Sequence, residues 1–157
     1  MPTNRQWILR RRPAGEIVPD DLELIETATP ELQDGEVLVR NIYLSLDPTH
    51  RIWMSDQDQY LPPVQIGEVM RGGAIGVVEQ SRNAALPEGA IVNAGLGGWQ
   101  DYAVVHEGMA RRVPHLADVP LTAHMSVLGA TGLTAYFGLN DIGKPQPGET
   151  VVVSAAA

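Results

Sequence analysis

A tyrosine in a proline-bounded loop is one group that could do chemistry in this sequence of 157 residues. Tyr60 lies in the segment Gln59-Tyr60-Leu61-Pro62-Pro63, where the two prolines stop a central strand from continuing. A phenol held in such a loop can hydrogen-bond a carbonyl oxygen and donate a proton to it. The alternative is a packed aromatic ring whose hydroxyl reaches water, and the sequence leaves both interpretations open.

A second polar group stands earlier in the chain, at Asp47-Pro48-Thr49-His50-Arg51. An aspartate followed by proline is a routine helix start, with the aspartate as N-cap and the proline in the first turn. The three polar residues that follow are equally suited to line a cleft. The segment therefore has both a structural and a functional interpretation.

Composition excludes several kinds of chemistry. The chain has no cysteine, which rules out disulfides, thiol nucleophiles, cysteine-ligated zinc and iron–sulfur clusters. Its histidines stand alone, and no serine lies in a Gly-x-Ser-x-Gly elbow. A formal net charge of −8 disfavours nucleic acid and anionic lipid as partners. We therefore expect no metal site and no nucleic-acid partner.

Hydropathy points to a protein outside the membrane. No apolar run approaches the roughly 18 residues that a membrane span needs. The first residues also lack the apolar core of a secretion signal. These patterns predict a soluble, cytoplasmic protein.

The first two-thirds of the chain read as short strands separated by turns. The alternation of apolar and acidic residues predicts a strand over 22–26, and residues 36–44 have the strongest strand pattern. Further strands are predicted at 7–10, 74–79, 90–92 and 99–106. Glycines 72, 73 and 76 fit neither dinucleotide nor P-loop spacing, and indicate a bulge or a close backbone approach. Short strands of this kind favour a small barrel or sandwich.

The pattern changes after residue 120. Helical spacing runs over 121–128 and 133–139, and Thr131 between them is either a helix cap or a cleft residue. Residues 150–157 form an apolar run typical of a strand buried on both faces of a parallel sheet. We therefore expect a β domain over 1–120, a helical connector over 121–148, and over 149–157 the first strand of a truncated domain.

Eight stretches, residues 4–7, 35–40, 43–48, 67–73, 98–102, 132–139, 141–145 and 147–157, carry a family resemblance. In this order they resemble the medium-chain dehydrogenase/reductase superfamily across essentially the whole chain. The likeness is to its zinc-independent branch of NADP-dependent alkenal, leukotriene/prostaglandin and curcumin reductases. It implies a mainly β, GroES-like barrel catalytic domain, a helical connector and the first strand of a truncated Rossmann domain. It also implies that the C=C bond of α,β-unsaturated ketones or aldehydes is reduced by hydride from NADPH.

The same resemblance assigns roles to individual residues. Tyr60 borders the substrate pocket as the best catalytic candidate, and Thr49, His50 and Arg51 are further substrate contacts. Thr49 stands where the family motif Asp-Pro-Tyr-Met-Arg has an aromatic residue, which opens space and bears on substrate preference. The implied cofactor contacts are Asp47, Thr131, Thr134, Ala155, Ala156 and Ala157. A small-molecule enone or alkenal substrate and a homodimer are expected, with no metal and no membrane partner.

Two alternatives stay open. One is a quinone reductase of the same superfamily, which Thr49 and His50 leave possible. The other is a non-catalytic interaction module on a GroES-like barrel, although such a module should lack the apolar run at 150–157. In the family the phosphate-binding turn follows the terminal alanines. We therefore expect the chain alone to be inactive and to bind NADPH weakly or not at all, as calorimetric titration would show.

Overall fold

Two units make up the computed structural model, residues 1–117 and 118–157, and the structure describes residues 2–106 and 108–154. In the first unit, strand β1 (Thr3–Leu9) pairs antiparallel with β2 (Leu22–Ala28). A second antiparallel sheet has the order β6-β3-β4-β5-β7. Its strands are β3 (Glu36–Leu44), β4 (Ala74–Ser81), β5 (Ile91–Asn93), β6 (Tyr102–His106) and β7 (Arg111–Arg112). The expected mainly β architecture is confirmed, and β3 has the predicted bounds.

β-Branched and small side chains from the five-stranded sheet form one core. Val37 and Val39 of β3 lie against Val78 of β4, Val92 of β5 and Val105 of β6, and all five are buried. Valine favours strands because its branched side chain packs well on a pleated surface. This core holds the first half of β3, and the chain continues through the exposed end of the strand to the polar segment at Asp47.

A second core lies beneath the short helix α1 (Thr49–Trp53). Leu9 at the end of β1 is fully buried with Met54, Val64 and Met70, and Trp53 is 5% exposed. Burying side chains of this size contributes about 1.5–3 kcal/mol each. Helix α1 therefore has a fixed position against β1, and so do the polar side chains that it carries.

A close approach of two strands explains the glycine at position 76. In β4, Gly76 lies opposite Asn41, and β3 has register shifts at Leu38/Val39 and at Asn41/Tyr43. A Cβ atom at Gly76 would clash with the carbonyl oxygen of Arg40 and lie 2.5 Å from Cγ1 of Val39. Of the two expectations for this glycine-rich stretch, a bulge or a close backbone approach, the close approach is confirmed at Gly76.

The second unit contains a 3₁₀ turn (Leu121–Met125), helix α2 (Ala130–Phe137) and a π-helical segment (Gly138–Gly143) that ends at Lys144, whose φ is 48°. The expected terminal strand does not form in the described residues. The run Val151–Val153 is exposed and forms no strand. A strand needs a hydrogen-bonded neighbour, and none pairs with this run in the part that the structure describes. The strand expected at 149–157 is therefore not present over 149–154, and 155–157 lie outside the described residues. The division at 120 and 148 stays a prediction. No helix within the described ranges is long and apolar enough to cross a membrane.

Candidate functional site

The phenol of Tyr60 is exposed and yet held at its oxygen by two neighbours. Its Oη lies 2.9 Å from Oγ1 of Thr49, and Nε1 of Trp53 donates a hydrogen bond to it at 3.1 Å. The rings of Trp53 and Tyr60 meet edge to face, with their centroids 6.4 Å apart. The side chain of Tyr60 is 71% exposed. This exposure argues against a packed aromatic and in favour of a positioned phenol.

Helix α1 brings the two partners of Tyr60 together. Thr49 and Trp53 are four residues apart, a spacing that places side chains on the same face of a helix. The Tyr60 loop is tied to that helix by two further bonds. The side-chain amide of Gln59 donates to the carbonyl of Ile52 at 3.2 Å, and the backbone N–H of Val64 donates to the carbonyl of Trp53 at 2.9 Å. The Tyr60 loop is therefore held on the same helix that carries Thr49 and Trp53.

His50 points away from this surface into the core. Its side chain is buried, at 4% residue exposure, between the rings of Trp53 and Trp99, whose centroids are 5.2 and 5.4 Å from its own. The backbone N–H of Asp47 donates to Nδ1 at 3.4 Å, which places the proton of the neutral ring on Nε2. Burial lowers the pKa of His50, and the nearby Asp47 carboxylate offsets this in part. The substrate contact expected for His50 therefore has no support in the geometry.

This buried histidine predicts a stability that falls in mild acid. Below the ordinary pKa of about 6.5 the unfolded chain protonates His50 while the folded chain does not, so lowering the pH favours unfolding. The free energy of unfolding should fall by up to about 1.4 kcal/mol per pH unit, from pH 6.5 down to the lowered pKa of the folded state. Urea titrations between pH 8 and 5 measure this slope.

His50→Gln should remove this fall in the free energy of unfolding below pH 6.5, because the variant buries no imidazole ring that can take up a proton. His115→Gln, at an exposed position, is the matched control and should keep the slope. A wild-type stability that is flat between pH 7 and 5.5 would contradict the assignment.

Asp47 does not cap helix α1, contrary to one of the interpretations of the sequence. The N-cap is Pro48, with no side-chain cap bond. The Asp47 carboxylate instead accepts a hydrogen bond from Oγ of Ser45 at 2.6 Å, and its side chain is 46% exposed. A carboxylate that is fixed by a neighbouring hydroxyl and open to solvent can accept further hydrogen bonds from a ligand.

The guanidinium of Arg51 is engaged in hydrogen bonds within the protein. It donates to the carbonyl oxygens of Pro13 and Gly15 at 2.9–3.1 Å and to Oγ of Ser55 at 2.9 Å. These bonds tie the segment after β1 to helix α1. The substrate contact predicted for Arg51 would compete with them, so the geometry favours a structural role.

The remaining predicted cofactor contacts lie in the second unit. The N-cap of α2 is Gly129, which places Thr131 inside the first turn, so the interpretation of Thr131 as a cap is wrong. The hydroxyl of Thr134 donates to the carbonyl of Ala130 at 2.8 Å. Ala155, Ala156 and Ala157 lie outside the described residues. The cofactor roles of all these residues stay predictions.

Sequence reasoning missed Trp53. Its indole N–H is one of the two groups that fix Tyr60, and its ring packs on His50. The spacing of four residues from Thr49 could have identified it. Ser45, which orients Asp47, was missed as well, because nothing in the local sequence distinguishes it from a strand-end serine.

A separate groove of about 450 Å³ lies between β1, β2, the end of β3 and the segment at 99–101. Its lining is mostly apolar and includes Trp7, Leu24, Tyr43 and Trp99, with the ion pair of Arg5 and Asp101 at 2.7 Å on one side. Tyr60 is not part of this lining. We place the candidate chemistry at Tyr60, because there a polar group is both oriented and accessible.

Among residues 2–106 and 108–154, no group of three or more metal-ligating side chains is close enough together to hold an ion.

Comparison with known proteins identifies relatives over nearly the whole chain. A family described as the N-terminal domain of oxidoreductase matches residues 5–113. NADPH-dependent curcumin reductase of Escherichia coli K12 is 44% identical over 155 residues, which cover 98% of this chain and 44% of that protein. Prostaglandin reductase 1 of Bos taurus is 37% identical over 155 residues, covering 98% and 45%. The chain therefore spans less than half the length of the curated relatives it matches.

A solved structure resembles the chain in three dimensions. The structure of CurA in complex with NADPH from Vibrio vulnificus superposes with a TM-score of 0.80 and 41% sequence identity. The match covers 90% of this chain and 42% of that one. The likeness in fold therefore accompanies a substantial likeness in sequence.

Proposed function

Because the chain belongs to the family of oxidoreductase N-terminal domains, within the NADP-dependent medium-chain dehydrogenases/reductases, we propose that it carries the substrate-binding half of an enone or alkenal reductase. The reaction is the NADPH-dependent reduction of the C=C bond of an α,β-unsaturated ketone or aldehyde. The observation that carries the proposal is the Tyr60 phenol, which is exposed but oriented by Thr49 and Trp53. The names of the relatives, NADPH-dependent curcumin reductase and prostaglandin reductase 1, support a reductase, and the first of them supports NADPH as the reductant.

The role of Tyr60 is to bind the carbonyl oxygen of the substrate. A carbonyl oxygen can only accept hydrogen bonds, and the exposed phenol of Tyr60 offers it a donor in a fixed direction. As the β-carbon gains a hydride, the π electrons of the C=C bond shift and negative charge develops on the carbonyl oxygen. A donor that is already oriented stabilises that charge without reorganisation. Tyr60 also holds a proton that can pass to the reduced substrate, whose α-carbon finally gains one.

Asp47 fits the nicotinamide end of the cofactor by its chemistry. One of its carboxylate oxygens accepts from Ser45, and the other accepts no hydrogen bond within the described ranges. That oxygen can accept from a carboxamide N–H or a ribose hydroxyl. When bound, NADPH supplies the hydride. Thr131 and Thr134 are retained as proposed contacts on the second unit.

The test is an assay of the whole polypeptide that carries this sequence. NADPH deuterated at its reactive carbon is mixed with an enone, and the product is analysed by NMR. We expect a saturated ketone with deuterium at the β-carbon. Reduction of the carbonyl to an alcohol, or no turnover of any enone, would contradict the proposal.

The same assay with a quinone tests the second candidate enzyme. The observation in its favour is Thr49, whose small side chain leaves room beside Tyr60 for a larger ring than an aromatic residue would. A kcat/KM that is tenfold higher for quinones than for enones would decide for a quinone reductase. A homodimer and a cytoplasmic location are retained as proposals, and light scattering tests the first.

A further inference from the structure

The oxygen of Tyr60 is surrounded by two groups that are able to donate to it. A phenol oxygen carries one proton and has lone pairs to accept with, whereas an indole N–H can only donate. The bond from Nε1 of Trp53 at 3.1 Å therefore makes Tyr60 an acceptor on that side. The hydroxyl of Thr49, 2.9 Å away, can act as donor or acceptor. Which way its proton points decides whether the Tyr60 proton is available to a ligand.

We infer that Thr49 is a positioning residue for Tyr60, donating its hydroxyl proton to the phenol oxygen when an acceptor is bound. The inference rests on the proposed function, since it concerns the Tyr60 phenol acting on a substrate carbonyl. A carbonyl oxygen cannot donate, so it takes the Tyr60 proton for its own hydrogen bond. Thr49 then turns its proton toward Tyr60, and the phenol oxygen accepts twice and donates once.

The arrangement matters most while charge is developing on the substrate. As the Tyr60 proton shifts toward the substrate oxygen, part of the negative charge passes to the Tyr60 oxygen. The two donors, Thr49 and Trp53, then form charge-assisted hydrogen bonds, which are stronger than neutral ones. Because they gain strength only at this stage, they raise kcat more than they tighten substrate binding.

The geometry of α1 makes Thr49 suited to this role. Its branched side chain has few rotamers in a helix, and Trp53 lies one turn further along the same face. The Thr49 hydroxyl makes no other hydrogen bond in the part of the chain that the structure describes. Valine has the same shape without the hydroxyl, so Thr49→Val removes the donor and keeps the packing volume.

The kinetic test measures kcat and KM for an enone with NADPH, in the whole polypeptide that carries this chain. Thr49→Val should lower kcat about tenfold and change KM less than twofold, a loss within the range of one charge-assisted bond. Thr49→Ser, which keeps a hydroxyl, should restore most of kcat. In a Tyr60→Phe background, Thr49→Val should add no further loss, because its partner is gone.

The outcomes separate this inference from the proposed function. If Tyr60→Phe abolishes most turnover while Thr49→Val matches the wild type, Thr49 does not position Tyr60 and the proposed function stands. An additive loss in the double variant, or a change confined to KM, also overturns the inference. If Tyr60→Phe itself keeps full kcat, the proposed function fails at Tyr60.

A spectroscopic test on the 157-residue chain requires no activity. The chain has three tryptophans, so ¹H–¹⁵N NMR should show three indole N–H signals. Tyr60→Phe should shift the Trp53 signal strongly, Thr49→Val more weakly in the same direction, and Thr49→Ser little. The Trp7 signal is the internal control. An unshifted Trp53 signal in Tyr60→Phe would mean that the hydrogen bond is absent and would overturn the inference.

Discussion

Tyr60→Phe lowers kcat for enone reduction about 10²-fold in the whole polypeptide that carries this chain. Phenylalanine keeps the ring and its edge contact with Trp53, so the change removes the hydroxyl and little else. The loss corresponds to about 2.7 kcal/mol of transition-state stabilisation, an amount that one oriented donor to a developing oxyanion supplies. Steady-state kinetics with saturating NADPH, fitted for kcat and KM separately, measures it.

Tyr43→Phe is the matched control for this prediction. Tyr43 is an exposed tyrosine at the end of β3 that lines the separate groove. Its variant should keep kcat within about twofold. If Tyr60→Phe raises KM while kcat is unchanged, Tyr60 forms a wall of the pocket and takes no part in the chemical step.

Gly76→Ala lowers the free energy of unfolding by about 3 kcal/mol, toward the upper end of the cost of overpacking. The added methyl group would meet backbone, the carbonyl oxygen of Arg40, as well as a methyl group of Val39. A backbone carbonyl in a ladder cannot turn aside as a flexible side chain can. The strands β3 and β4 would have to move apart at the point where their register already shifts. Urea denaturation followed by circular dichroism measures the change.

Gly73→Ala, three positions earlier, provides the comparison. A Cβ there would lie 3.6 Å from Cβ of Ser45, an ordinary van der Waals distance. We expect a change of less than about 1 kcal/mol in either direction, as for a compatible glycine replacement. Equal stabilities for the two variants would contradict the assignment of Gly76 as the point of close approach.

The fold of the first unit was largely predictable, because its strands are marked by residue patterns within short segments of the sequence. The bounds of β3 follow from a run of β-branched and apolar residues between two turns, and the glycine at 76 indicated the close approach. The run Val151–Val153 has an equally strong pattern but forms no strand. A strand is stable only with a neighbour to pair with, and a pattern within one segment carries no information about that neighbour.

The site was predictable at Tyr60 and less so around it. The prolines after Tyr60 indicated an ordered loop, and the structure adds the two bonds at its oxygen. The burial of His50 depends on Trp99, almost fifty positions away, and the bonds of Arg51 depend on the segment at 13–15. Contacts between segments so far apart in sequence leave no periodicity to detect. For this reason, three adjacent polar residues that looked alike in the sequence have three different surroundings.

Two of the bonds that hold the Tyr60 loop on helix α1 do not involve the Tyr60 side chain. Gln59 and Val64 attach the loop to the carbonyl groups of Ile52 and Trp53, and Pro62 and Pro63 restrict its backbone. Evolution can therefore exchange the residue at position 60 without rebuilding the loop. A substitution there changes reactivity while these two bonds and the prolines remain, which makes position 60 a natural site for divergence and for directed evolution toward new substrates.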